Sequence, residues 1–116
     1  MNIEEFREFC LSRKGVTEEF PFDKNTLVFK VAGKMFALTD VELFESINLK
    51  CDPEKAMELR EKYHAVLPGY HMSKKHWNTI LMDGSISDRQ LLQWILDSYL
   101  LVVSGLSKSQ RAKLDE

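Results

Sequence analysis

The sequence predicts an α+β fold: an antiparallel β-sheet covered on one face by helices, in the order α-β-β-β-β-α-β-α. Three observations carry this expectation. Apolar residues recur at three- and four-residue spacing in three segments, the pattern of helices with one buried stripe. Between them run short stretches that alternate apolar and polar residues, bounded by glycine or proline turns. Each alternating stretch sets an apolar row opposite a polar row, so one sheet face meets the helices and the other does not.

The elements follow in order. Asn2 caps a first helix whose Ile3, Phe6, Cys10 and Leu11 face a core, with Glu4 and Glu5 near the positive end of its dipole. Gly15 stops it, and Val16 to Phe22 is extended, with Pro21 suited to a strand end. Leu27 to Val31 and Met35 to Thr39 form a hairpin around an Ala32-Gly33 turn. Phe44 to Cys51 gives the next strand, with Ile47 and Leu49 on one face and Asn48 and Lys50 on the other. Asp52 caps a second helix opened by Pro53, on which Ala56, Leu59, Tyr63 and, flanking them, Met57 and Arg60 supply the packing spacing. It ends before Leu67-Pro68-Gly69, whose Pro-Gly pair reads as a turn. Trp77 to Met82 alternates as a strand closed by Asp83-Gly84, and Trp77 itself is expected in the core. Ser87 and Gln90 then box the start of a long apolar helix that covers the sheet and ends at Gly105, followed by a polar tail that is either a short helix or a frayed end.

Length and composition exclude several classes. At 116 residues, the chain (1–116) is expected to be one domain that folds without metals or disulfides. Cys10 and Cys51 do not make a disulfide framework and are expected as two buried thiols. The acidic N-terminus lacks the basic and apolar regions of a signal peptide, and the run from Leu91 to Val103 is too short and too interrupted by Gln93, Asp97 and Ser98 to span a bilayer. A cytoplasmic monomer with no membrane contact is the expectation.

Charge is segregated. The net charge of −2 argues against binding nucleic acid over the whole surface, yet no carboxylate falls from Lys62 through Met82 or from Lys24 through Thr39. All three histidines, His64, His71 and His76, lie in the first of these windows. Lys30 and Lys34 flank the hairpin tip, Lys50 ends a polar strand row, and Tyr70, His71, Lys74, Lys75 and His76 form a basic, aromatic loop. Lysines so placed neutralise phosphates. The competing reading is that they are solvated, or that they guard an edge strand against aggregation.

An enzyme is not expected. His71 and His76 point to opposite faces if extended, the carboxylates are scattered, Asp83 fits an Asp-Gly turn, and Gly33 is a lone hairpin glycine. No catalytic residue, metal ligand or cofactor is therefore assigned.

The segments Phe20-Pro21-Phe22, Val28 to Val31, Gly33 to Leu38, Asn48 to Cys51 and Tyr70 to Thr79 together resemble the MmcQ/YjbR family. Gly33-Lys34-Met35-Phe36 and the run from His71 to Trp77 are the most specific pieces, and the resemblance covers nearly the whole chain. It implies a small cytosolic bacterial protein with a CyaY-like, frataxin-like α+β fold and a DNA-binding role described as a double wing. Phe20 stands where tyrosine is common and Ser73 where asparagine is common; neither change removes a charge. The frataxin likeness would allow iron, but Glu4, Glu5 and Glu8, with Arg7 between them, make a thin acidic ridge. The expected function is binding of double-stranded DNA without sequence reading, with Lys30, Lys34, Lys50, Lys74 and Lys75 on phosphates and Tyr70, His71 and His76 beside them. The alternative is a non-enzymatic protein-interaction or regulatory module, docking through Tyr70-His71-Met72 and the Phe20-Pro21-Phe22 edge.

Overall fold

A computed structural model describes residues 1–115; Glu116, the end of the polar tail, lies outside the described residues. The chain runs α1 (Ile3–Leu11), β1 (Val16–Glu19), β2 (Thr26–Val31), β3 (Lys34–Asp40), β4 (Ser46–Lys50), α2 (Pro53–Lys62), β5 (Val66–Pro68), β6 (Trp77–Leu81), α3 (Asp88–Ser104) and α4 (Lys108–Leu114). All strand pairs are antiparallel in one sheet ordered β1-β2-β3-β4-β6-β5. The α+β class and the antiparallel sheet match the sequence expectation, and two short elements add to the expected order. β5 occupies the run up to the Pro-Gly turn, where no strand is expected from the sequence, pairing Val66 with Ile80 and Pro68 with Asn78. It is an edge strand, where the missing amide hydrogen of Pro68 costs no ladder bond. The polar tail forms α4 through a capping box between Ser107 and Gln110.

Caps fix the helix starts. The Asn2 side chain accepts from the Glu5 amide while Glu5 accepts from the Asn2 amide, and Asp52 and Ser87 cap α2 and α3. The β2–β3 turn has positive φ at Ala32 (51°) and Gly33 (76°), the geometry of a two-residue turn whose twist suits the hairpin. Two residues later the register shifts: Phe29 faces Ala37 and Lys30 faces Met35, leaving Phe36 as the extra residue of a β-bulge. Phe36 thus joins the core beneath α3, its ring 5.5 Å from that of Tyr99.

The sheet face under the helices carries the main core, where Phe6, Phe29, Phe36, Ile47 and Ile95 are fully buried. Phe6 of α1 meets Phe29 edge-on at 5.5 Å. The other face carries no helix. It has a smaller apolar cluster of Val28, Leu38 and Trp77, closed by Met35 and Met72. Trp77 is buried, as its place at the head of a strand predicts, but in this second cluster rather than beneath the helices.

Candidate nucleic-acid interface

The loop between β5 and β6 is tied down along its whole length. It leaves β5 at Gly69, whose amide donates to the Trp77 carbonyl at 2.9 Å. A Cβ on Gly69 would come within 2.7 Å of the Trp77 Cβ, so only glycine passes here without a shift. The Tyr70 amide donates to Thr79 Oγ1 at 2.9 Å, and that hydroxyl donates to Asn48 Oδ1 at 2.5 Å, crossing to β4 on the helix-free face. His71 takes a left-handed conformation (φ 59°) that turns the chain, with its ring 4.0 Å from that of the exposed Tyr70. A second turn closes from the His76 amide to the Ser73 carbonyl at 3.2 Å, and the His76 carbonyl accepts from the Cys51 amide at 2.8 Å.

Arg60 of α2 clamps the same loop. Its Nε donates to Asn78 Oδ1 at 2.7 Å, and its Nη2 donates to the carbonyls of Trp77, at 3.1 Å, and of Lys74. Asn78 is held in turn, donating to the Ala56 carbonyl at 3.4 Å. All of these acceptors on Arg60 are neutral. The guanidinium is bound by geometry while its charge stays uncompensated.

The candidate lysines fall into two adjoining recesses that meet at Pro53, the first residue of α2. Lys34, Lys50 and His76 line one, together with the end of α3. Lys74 and Lys75 line the other with Arg60, Met57 and Glu54. Among the described residues, Lys34, Lys50, Lys74 and Lys75 form no ion pair with a carboxylate; Lys74 Nζ reaches the Gly69 carbonyl at 3.3 Å. Lys30 differs. Its ammonium pairs with Glu19 across β1 and β2, so a phosphate there must compete with a carboxylate already in place. Tyr70 and His71 stand at the loop tip, Tyr70 with 70% of its surface exposed. Acidic groups are not absent: Asp52 also borders the first recess, where its carboxylate accepts from the Lys55 amide at 3.3 Å as the α2 cap. Burial, with the Asp52 charge adding to it, pushes the adjacent Cys51 thiol up from its ordinary value.

Such an arrangement can hold anions. It offers ammonium groups without carboxylate partners, one fixed guanidinium and ring faces within a short stretch of surface. Sequence reading had placed Arg60 only among the packing residues of α2; the available signal was a charged residue on an otherwise apolar stripe.

The YjbR family model matches residues 11–101. The chain is 40% identical to the uncharacterized protein YbdF of Escherichia coli O157:H7 over 96 residues, 82% of this chain and 79% of YbdF. It is 32% identical to the uncharacterized protein YjbR of Escherichia coli K12 over 115 residues, 98% of each chain. In three dimensions it resembles the crystal structure of Deinococcus radiodurans protein DR2400, a DUF419-domain protein, with a TM-score of 0.91 and 39% identity over 98% of this chain and 88% of that one. The match to the family model across most of the chain, with relatives of this identity over nearly their full length, shows that the chain belongs to the YjbR family.

Proposed function

We propose that this chain is a binding protein rather than an enzyme, and that it binds double-stranded DNA through phosphate contacts without reading base sequence. The observation that carries the reading is the meeting of two basic recesses at Pro53, with Lys34, Lys50 and His76 on one side and Lys74, Lys75 and the uncompensated Arg60 on the other. The β2–β3 hairpin tip and the β5–β6 loop act as the two wings. Exposed Tyr70 and His71 stack on sugar or on a frayed base at the edge of the contact. Lys30 takes no part, because it is already paired with Glu19.

The energetics are those of counterion release. Each neutralised phosphate contributes about −0.9 to the slope of log K against log salt, so four lysine contacts give a slope of about −3.6. Fluorescence anisotropy with a short duplex at low salt tests this. Binding that weakens steeply with salt, and that Lys74→Ala with Lys75→Ala reduces while Lys30→Ala does not, is the expected result. Absence of binding at tens of micromolar, or binding indifferent to salt, sinks the proposal and favours a protein-interaction module working through the exposed Tyr70 tip.

A further inference from the structure

Helices α2 and α3 touch where the Tyr63 ring, at the end of α2, packs edge-on against Trp94 with centroids 5.2 Å apart. Toward the start of α2 and the second half of α3, a cavity of about 180 Å³ opens between them. Leu49 and Ile80 of the sheet floor it, and Leu59, Trp94 and Leu101 wall it. We propose that this cavity is a binding site for a small molecule presenting an apolar group of about benzene size and a short polar end. The cavity shares Lys50, Cys51, Asp52 and Leu101 with the first basic recess, but the inference does not rest on DNA binding.

Three features support it. The volume is close to that of apolar cavities, about 150 Å³, that take up benzene. A water would need two or more polar partners, and the floor is poor in them: beside Leu49 and Ile80 it holds Asn78, each end of whose amide is already engaged once, by Arg60 and by the Ala56 carbonyl. The part of a ligand that enters must therefore be apolar, or it would lose its hydrogen bonds to water without replacement. The mouth differs in character. Lys50, Asp52, Lys55 and Asp97 border it, two of each sign, and all but the half-buried Lys50 are exposed. A neutral hydroxyl or amide on the ligand remains solvated there, and a rim of balanced charge favours neither sign of ligand charge. The half-buried Cys51 also lines the cavity and supplies a native reporter, since the other thiol, Cys10, is fully buried.

Benzyl alcohol is a suitable probe for the full-length protein. In a proton–nitrogen NMR titration, the amides of Leu49, Ile80 and Trp94 should shift together with a dissociation constant on the order of 1 mM, fitting for eight non-hydrogen atoms. At about ten times that concentration, alkylation of Cys51 by N-ethylmaleimide should slow about tenfold, because the occupied cavity excludes the reagent. Leu101→Trp, a half-buried position able to place its ring in the cavity, should abolish both effects while the fold persists. Shifts scattered over the surface, Cys51 labelling unchanged by the probe, or effects that survive in Leu101→Trp would overturn the proposal. Because Cys51 also borders the first basic recess, the amide shifts and the labelling of the wild-type chain decide the matter together, even if the variant fails to fold.

Discussion

The Ser98 hydroxyl donates to the Phe36 carbonyl at 2.5 Å and in turn accepts the Lys50 amide at 2.9 Å. The register explains why α3 supplies a hydroxyl there. Ala37 pairs with Leu49, so the next pair along β3 and β4 would be Phe36 with Lys50, but the bulge at Phe36 interrupts the ladder. One buried side chain replaces the missing rung and satisfies both backbone groups. It also fixes the backbone of Lys50 at the rim of the basic recess. Ser98→Ala leaves a carbonyl and an amide without a partner and is expected to cost about 1–3 kcal/mol, read as a lower urea midpoint with an unchanged slope. A loss below about 0.5 kcal/mol would mean that the two strands rejoin directly.

Arg60 makes a parallel case for α2. Truncation to alanine strands Asn78 Oδ1 and releases the Lys74 carbonyl of the β5–β6 loop, while the Trp77 carbonyl keeps the Gly69 amide, so a loss of about 1–3 kcal/mol is expected. Arg60→Lys should recover little of it, because one ammonium on a flexible stem cannot fork to three fixed acceptors. Hydrogen exchange locates the effect: amides from Gly69 to Trp77 should lose protection while α3 keeps its own. Uniform loss of protection across the sheet would show that Arg60 supports the whole fold rather than this loop.

The fold was legible where burial alone decides structure. The Phe6-Cys10 stripe, the Ala32-Gly33 turn and the long apolar face of α3 each announced their element through periodicity or turn chemistry. What escaped depends on partners distant in sequence. Ser98 read as a polar interruption of an apolar run, since nothing in α3 tells of a bulge sixty-two residues earlier. β5 has three residues and a proline, too short for an alternating pattern, and exists because β6 has a free edge beside it. The basic cluster was half legible: windows without carboxylates marked Lys34, Lys50, Lys74 and Lys75, but only the β1–β2 register shows that Glu19 reaches Lys30.

Ala32 offers a stabilising change. It is exposed and holds φ at 51°, where a Cβ crowds the following carbonyl, and Asn tolerates that region better than Ala. Ala32→Asn creates the Asn-Gly pair favoured in turns with two positive φ values, and a gain of about 0.5–1 kcal/mol is expected. Thermal unfolding should rise by about 2–8 °C. An unchanged or lower midpoint would show that the turn relaxes out of this geometry in solution.

Cys10 makes stability depend on alkaline pH. Burial against Phe6 and its neighbours pushes the thiol far above its ordinary value of 9.0, so it stays protonated in the folded chain at any pH the fold survives. Unfolding releases it to ionise. A raised folded pKa means the contribution is fully present below 9.0 and declines as pH rises beyond it, by about 1.4 kcal/mol per pH unit. Cys51 and Tyr99, also raised chiefly by burial, act in the same direction, so wild-type data alone do not isolate the thiol. Cys10→Ala does isolate it. The variant should be less stable than wild type near neutrality, by about 1 kcal/mol for the small cavity it leaves. Above pH 9 its urea midpoint should fall less steeply, so the two curves converge and then cross before pH 10.5. Parallel curves from pH 7 to pH 10.5 would mean that Cys10 already ionises inside the fold, with water reaching a site that the packing of α1 on β2 closes.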